Sequence, residues 1–427
     1  MPGIEGSTLT RRELLRLSAT GAVLAGLPGC ATERRSDGRA DSGQVARPTG
    51  VGDDAWAGVR AQFLLDSRMA YLNNASLGKP PRVVSDAVGR GYEAISRDPH
   101  RGKAALEERI AEQVLPGLAR LFGVKTGEIA LSRNATEALH LQTVGAVLSP
   151  GDEVVITTQE HPAGRRPWLL RRGRDAIDVK EVFVPSPLPP TSTLVDLMAE
   201  AMGPRTRALA FCHVTRGGHR YPVRELCHLA RERGVLSLID GAQAVGQFPI
   251  HLGDLGCDAY SASLHKWLLG PVGTGFFFVR EDARDRIVSD YAPDATILEP
   301  AFAPPGTVDL PVRAALGEAI DFVEQLGLDQ VEARCRFLSD YLKSRLVESP
   351  QVTLLSSATD QSAPGSTIFE IEGLDALAAV PMIASTAGAH IDEHQRDGHN
   401  AIRISTHVYN TTVELDRVVE HLISGPR

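Results

Sequence analysis

One lysine of this chain lies where a lysine is chemically unusual. Lys266 stands between two largely apolar segments, 258–264 and 268–279, the second of which is punctuated by glycines, and their pattern is typical of buried strands. Burial disfavours the charged form of an amine, so a lysine held there is a usable nucleophile that forms a Schiff base with a carbonyl. A lone lysine at a strand end can also extend its amine to solvent. The neighbouring residues have to show which of these two roles applies.

A carboxylate follows another predicted strand upstream of this lysine. The apolar run 235–239 ends on Asp240, and open α/β sheets place ligand contacts at such strand ends. Pyridoxal 5'-phosphate requires a lysine for its aldehyde and an aspartate for its pyridinium nitrogen. The pair therefore predicts an enzyme with this cofactor and with Lys266 and Asp240 as catalytic residues.

Two motifs around this pair resemble a known family. Asp-Gly-Ala-Gln at 240–243 and Ser-Leu-His-Lys at 263–266 are similar to the signature of class V aminotransferases, which include cysteine desulfurases, kynureninases and isopenicillin N epimerase-like enzymes. The similarity runs from about Tyr71 to the C-terminus. It implies the α/β architecture of fold type I enzymes, in which helices enclose the mostly parallel sheet of a large domain and a smaller α+β domain follows.

The segment after a predicted strand at 129–132 is a candidate phosphate site. The strand turns into a helix there, and a helix N-terminus offers unpaired N–H groups and a positive dipole end. Taken alone, the motif also fits an ordinary capped helix start. The resemblance assigns the cofactor phosphate to the backbone of Ala135 and the hydroxyl of Thr136, together with Ser263 and His265.

The resemblance assigns two further residues to the cofactor ring. Gln243 would meet the phenolic oxygen, and His161 would stack on the pyridine ring and carry protons. An isolated histidine after a strand is otherwise more often a hydrogen-bonded surface residue.

Three residues are candidates for substrate binding. Arg403 lies in a segment that matches the family's C-terminal Arg-x-Ser…Tyr-Asn-Thr pattern, and it would hold the substrate carboxylate bidentately unless it forms a structural salt bridge. Arg216 stands where desulfurases have asparagine, and three interpretations are open: it tunes the ring oxygen, binds a second acidic group of the substrate, or points to solvent. Asn74 belongs to the segment that enters the substrate side of the site in this family.

The segment 304–308 resembles a loop that reaches across a dimer to the neighbour's cofactor phosphate. Gly306 and Thr307 are the residues assigned to that contact. The resemblance therefore implies a homodimer with shared active sites.

The composition is that of an ordinary globular enzyme, with 427 residues, 43% of them hydrophobic, and a net charge of -8. No basic run predicts a nucleic-acid partner. The five cysteines show no paired spacing and are interpreted as buried small residues, apart from Cys30. Three histidines between 390 and 399 lie in a segment interpreted as a polar loop, and no metal site is predicted.

The N-terminus predicts export. Paired arginines at 11 and 12 precede an apolar run at 17–27 that is too short to span a bilayer, which is typical of a twin-arginine signal. The sequence at 27–30 resembles a lipobox, so lipidation of Cys30 would tether the protein to the membrane. Because the twin-arginine route carries folded proteins, we expect a periplasmic or lipid-anchored enzyme that is exported with its cofactor.

Four regions are predicted along the chain. Residues 1–30 form the signal and 31–52 a disordered linker. Residues 53–310 form an N-terminal segment and the large cofactor-binding domain, and 311–427 form the small C-terminal domain.

The predicted reaction takes place at Cα of an amino acid, and a class V aminotransferase is the first interpretation. The same residues would serve an epimerase or a C–S lyase. Persulfide formation is disfavoured because no cysteine follows Cys335, whereas desulfurases use a mobile cysteine before the substrate-binding arginine. A non-catalytic periplasmic binding protein with a degenerate fold is the rival interpretation, and the presence of Lys266, Asp240 and His161 argues against it.

Overall fold

The computed structural model describes residues 46–424 except 67, 290, 292–296 and 304–305. The predicted signal, Cys30 and the first two residues of the predicted dimer loop lie outside the described residues. Of the helices within the described ranges, none has both the length and the apolar character that a bilayer crossing requires.

The described residues form thirteen strands and fifteen α-helices, labelled in chain order. The strands β1 to β13 are Ala70–Tyr71, Ile129–Ser132, Glu153–Thr157, Asp178–Val182, Thr206–Cys212, Leu236–Asp240, Ala259–Ser263, Gly275–Val279, Val352–Leu354, Ser366–Ile371, Ala389–His390, Asp392–Arg396 and His399–Ser405. The helices α1 to α15 are Asp53–Arg60, Arg82–Arg97, Pro99–Arg109, Leu115–Phe122, Ala135–Gly145, Pro162–Asp175, Thr191–Ala201, Val223–Glu232, Leu252–Leu255, Leu298–Phe302, Leu310–Ala314, Leu316–Leu326, Leu328–Leu346, Ala376–Thr386 and Thr412–Ser424.

A seven-stranded sheet forms the centre of the fold, in the order β2-β8-β7-β6-β5-β3-β4. Strands β3 to β7 run parallel, and β8 runs antiparallel to both of its neighbours. Central strands such as β6 and β8 are buried along their whole length, which is typical of a sheet covered on both faces. The predicted α/β fold with a mostly parallel sheet is confirmed.

A smaller sheet is antiparallel, in the order β12-β13-β10-β9. Strands β12 and β13 form a hairpin whose turn, Asp397-Gly398, has positive φ at both residues (56° and 86°), as a two-residue type I′ turn requires. The interpretation of 390–399 as a polar loop is therefore wrong. These residues are polar because the hairpin is only partly buried, not because the backbone is irregular.

Helix α13 contributes to two apolar cores. Leu328 and Val331 pack into the core around the large sheet, whereas Leu342 and Leu346 pack into the core of the small sheet. The domain boundary between residues 310 and 311 stays a prediction. The four described cysteines are buried and free, as their spacing predicted.

The first and last parts of the described chain meet beside the small sheet. Strand β1 pairs in parallel with β11, with Ala70 opposite Ala389. The backbone then continues along β13, where Ser405 donates to the carbonyl of Leu72 at 2.8 Å. This pairing brings the segment after β1 next to the turn that follows β7.

Candidate active site

A cavity of about 630 Å³ lies at the carboxyl ends of the central strands. Strand β6 ends on Asp240, β7 ends on Ser263, and α5 begins at Ala135 next to them. Because parallel strands end at the same edge of a sheet, residues far apart in sequence meet here. The predicted site residues that line this cavity are Ala135, Thr136, His161, Arg216, Asp240, Gln243, Ser263, His265, Lys266 and Arg403.

Lys266 lies in the turn directly after β7. The backbone of this turn is fixed by Gly78, whose N–H donates to the carbonyl of His265 at 2.9 Å. A Cβ built on Gly78 would lie 1.8 Å from the carbonyl oxygen of Lys266, so only glycine permits this approach. Burial lowers the pKa of the Lys266 amine to about 8, although the charge of Asp240 acts in the opposite direction.

Capture of pyridoxal phosphate by the apoenzyme is expected to accelerate as the pH rises through about 8. Only the neutral amine attacks an aldehyde, and the lowered pKa of Lys266 means that the neutral fraction grows about tenfold per pH unit below that value and levels off above it. The measurement is the rate at which the absorption band of free pyridoxal phosphate shifts to that of the lysine-bound form after mixing, from about pH 6 to about pH 10. A rate that still climbs steeply at the upper end would mean that the lysine has its ordinary pKa.

Asp240 is a buried carboxylate with one oxygen available. Its Oδ1 accepts a hydrogen bond from the N–H of Ala242 at 2.9 Å, and no described residue donates to its Oδ2. The side chain is only 6% exposed, and burial raises its pKa, although the Ala242 bond and the charge of Lys266 lower it. Oδ2 is therefore suited to a cationic N–H partner such as a protonated pyridine nitrogen.

The opposite end of the cavity offers donors for an anion. Ser263 Oγ accepts from the N–H of Ala135 at 2.9 Å, which leaves its hydroxyl proton free to donate. His265 Nδ1 donates to the carbonyl of Thr274 at 3.0 Å, so the neutral ring presents Nε2 as an acceptor and adds no donor for the anion. The Ser263 hydroxyl, the exposed Thr136 in the first turn of α5 and the positive end of that helix together fit a phosphate group. The two ends of the cavity together fit pyridoxal phosphate.

His161 caps helix α6 through its ring. Its Nδ1 accepts from the N–H of Ala163 at 3.1 Å, so the neutral ring carries its proton on Nε2. Desolvation, and then the positive charges of Lys266 and of three arginines, lower the pKa of His161 to about 4. The ring is therefore neutral at pH 7.

Gln243 is fixed on both sides of its amide. Its Nε2 donates to the carbonyl of Ala75 at 2.9 Å, and its Oε1 accepts from the indole N–H of Trp267 at 2.9 Å. One amide proton remains free to donate, which is what a contact with a ring oxygen requires.

The wall formed by the small sheet carries ion pairs. Arg403 on β13 is only 3% exposed and pairs with Asp392, which lies directly opposite on β12. Arg216 pairs with Asp392 at 3.2 Å and with Glu393 at 2.9 Å, so it does not simply point to solvent. Desolvation lowers the pKa of Arg403 to about 10, which still leaves it charged at pH 7.

The structure does not bring three predicted residues into this cavity. Asn74 is fully buried, and its Oδ1 accepts from the hydroxyl of Tyr409 at 2.7 Å, so its placement corrects the predicted substrate contact. Its neighbour Asn73 contacts Arg403 instead, at 3.3 Å. Gly306 and Thr307 are exposed and do not line the cavity of their own chain, and their role across a dimer stays a prediction.

Sequence reasoning misses three charged residues of the cavity wall, Asp392, Glu393 and Arg396. All three belong to β12, which was not predicted as a strand. The signal that identifies it is the Asp397-Gly398 dipeptide, because this pair favours a tight hairpin turn between two strands.

Comparison with known proteins agrees with this geometry. The family model for Aminotransferase class-V matches residues 70–418. The isopenicillin N epimerase of Amycolatopsis lactamdurans is 32% identical over 397 residues, which cover 86% of this chain and 98% of the relative. A probable cysteine desulfurase of Xylella fastidiosa is 29% identical over 405 residues, which cover 86% of this chain and 95% of the relative.

Solved structures share the fold. The structure of C-DES with glycine covalently linked to its PLP cofactor has a TM-score of 0.76 at 22% identity and covers 85% of this chain and 98% of its own. The cysteine desulfurase CsdA from Escherichia coli has a TM-score of 0.76 at 23% identity, with 87% and 98% covered. The chain belongs to the class V aminotransferase family of enzymes, whose cofactor is pyridoxal phosphate.

Proposed function

We propose that this enzyme moves a proton at Cα of an amino acid and that epimerisation is the outcome. The observation that carries the proposal is that Lys266, Asp240 and Arg403 line one cavity. The choice of epimerisation is supported by the isopenicillin N epimerases of Amycolatopsis lactamdurans and Streptomyces clavuligerus, which are 32% and 28% identical to this chain.

The residues of the chain have separate tasks in this proposal. When bound, pyridoxal phosphate supplies an aldehyde for the substrate's amino group and a ring that accepts electrons released at Cα. Lys266 Nζ takes the proton from one face of Cα, which its lowered pKa permits near neutral pH, and inversion requires that a proton then reaches the opposite face. Asp240 holds a proton on the ring nitrogen, and Arg403 binds the α-carboxylate and so orients Cα.

The cysteines of the described chain do not favour a reaction that forms a persulfide on a protein thiol. Of those that the structure describes, Cys212 lines the cavity. Burial, together with the charges of Glu160 and Asp240, raises the pKa of its thiol well above the ordinary value, and the thiol is not the nucleophilic form.

The holoenzyme is tested with a panel of L- and D-amino acids in D₂O. We expect deuterium at Cα together with inversion, and no accumulation of keto acid or sulfide. If keto acid accumulates without inversion at Cα, the enzyme is a transaminase and not an epimerase. Transamination is the activity for which the family is named. Binding without any exchange at Cα would favour the non-catalytic alternative and refute the proposal.

We also propose that the enzyme is exported by the twin-arginine route. The support is the N-terminal sequence alone, with its paired arginines at 11 and 12 and the apolar run after them. Lipidation of Cys30 would then tether it to the membrane. Fractionation of cells that express the full chain should place the mature protein outside the cytoplasm, and wholly cytoplasmic protein would refute this.

A homodimer is proposed as the working form, with Gly306 and Thr307 completing the phosphate site of the neighbouring subunit. The support is the resemblance of the 304–308 segment to the family's dimer loop. Sedimentation of the holoenzyme should give twice the chain mass, and a monomer with full activity would refute shared sites.

A further inference from the structure

One arginine of the cavity wall has no carboxylate partner in the described part of the chain. Arg216 pairs with Asp392 and Glu393, and Arg403 pairs with Asp392. Arg396 lines the same cavity and forms no ion pair with a described residue. Among the described residues of this wall, Arg396 is therefore the guanidinium group that is left available to an anion from outside.

Arg396 is nevertheless held in place. Its Nη1 donates to the backbone carbonyl of Gln159 at 2.6 Å. The Gln159 side chain is itself fixed, since its Nε2 donates to the carbonyl of Val184 at 2.8 Å and to the carboxylate of Asp397. Asp397, the acidic residue next to Arg396 in sequence, therefore bonds to Gln159 and not to Arg396. The remaining N–H donors of Arg396 are preorganised for an external acceptor.

Arg396 belongs to the substrate wall and not to the predicted phosphate site. It lies on β12, four residues beyond Asp392, which is directly opposite Arg403 in the hairpin. Four residues of a strand span about 13 Å, so the backbone positions of the two arginines are well separated. The phosphate donors Thr136 and Ser263 come from α5 and β7 of the large sheet.

We propose that the substrate carries a second carboxylate, beyond the one at Cα, and that Arg396 binds it. This inference rests on the proposed function and names an α-amino dicarboxylic acid, or an amino acid with a remote acidic group, as the substrate class. Guanidinium and carboxylate match each other bidentately. Arg396 and Arg403 are separated along the hairpin, so diacids of two lengths, glutamate and 2-aminoadipate, are compared.

The test compares acids with neutral partners of similar size. Cα deuterium uptake by the holoenzyme is measured for glutamate and glutamine, and for 2-aminoadipate and norleucine. The wild type should prefer each diacid by at least about tenfold in kcat/KM, and Arg396→Gln should lose that preference. Arg101→Gln is the matched control, because the Arg101 side chain is 90% exposed on α3 and should keep the preference.

Three results would overturn the inference. The first is an equal kcat/KM for diacid and neutral partner in the wild type, and the second is an equal loss for both in Arg396→Gln. The third is a large loss of pyridoxal phosphate affinity in that variant, which would assign the arginine to the phosphate.

Binding of the same acids is measured in parallel by calorimetry, so that the outcome does not depend on turnover. If no acid exchanges its Cα proton, the proposed function fails. In that case, tighter binding of the diacids that disappears in Arg396→Gln still supports the arginine's role, and equal binding rejects it.

Discussion

Replacing Lys266 by alanine is expected to lower turnover by at least about 10³-fold and to abolish the attachment of the cofactor to the protein that borohydride makes permanent. The alanine has no amine to hold the aldehyde and no group to carry the Cα proton. Both losses follow because the lysine is at once the attachment point and the base of the proposed reaction. The measurements are the mass of the purified variant after borohydride reduction and its rate of Cα deuterium exchange.

The matched control is Lys103→Ala. Lys103 lies on α3, is not among the residues that line the cavity, and has a side chain that is 62% exposed, so its loss should leave both the reduced mass and the rate unchanged. A Lys266→Ala variant that still carries covalently bound cofactor after borohydride reduction would place the attachment at another amine.

Replacing Asp240 by asparagine is expected to lower kcat by about 10²- to 10⁴-fold while the cofactor stays bound. The amide preserves the shape and can still accept the Ala242 N–H bond at 2.9 Å, but it cannot keep a proton on the ring nitrogen by its charge. The ring then accepts electrons from Cα less readily. Turnover and cofactor content, measured on the same sample, separate this effect from loss of binding.

The same variant has an expected effect on stability with a definite sign. Burial raises the pKa of Asp240, so the folded state disfavours the ionised form, and its contribution to stability is lost as the pH rises through the folded pKa. An amide removes that cost at neutral pH, and the melting temperature of the apoenzyme should stay the same or increase. The exposed Asp282→Asn serves as control. A large fall in melting temperature would mean that the carboxylate has a structural partner.

The residues at strand ends could be predicted from sequence because the constraint on them is local. Asp240 ends a mostly apolar run and Lys266 follows a strand of small and apolar residues, and a parallel sheet brings the ends of such strands together. The helix start at Ala135 and Thr136 is predictable for a similar reason, since a strand that turns directly into a helix fixes where the helix dipole points.

The substrate wall could not be predicted in this way. Arg403 could be identified from a sequence motif. Its partner Asp392 lies in a polar segment that lacks the alternation of apolar residues by which a strand is predicted. Which of two adjacent asparagines faces the site depends on the register of a short bridge between Asn73 and Ser405, and one step of register exchanges the faces. Sequence alone does not set that register.

The close approach of Gly78 to the Lys266 backbone has a consequence for how the protein folds. The reactive turn is supported by a segment that is anchored, through β1 and β13, to strands more than 300 residues away in the chain. Contacts across such separations close late, because the loop entropy must be overcome before they stabilise anything. We therefore expect the ability to bind the coenzyme to appear in the last step of folding. The absorbance of the bound coenzyme would then distinguish native molecules from compact, partly folded ones.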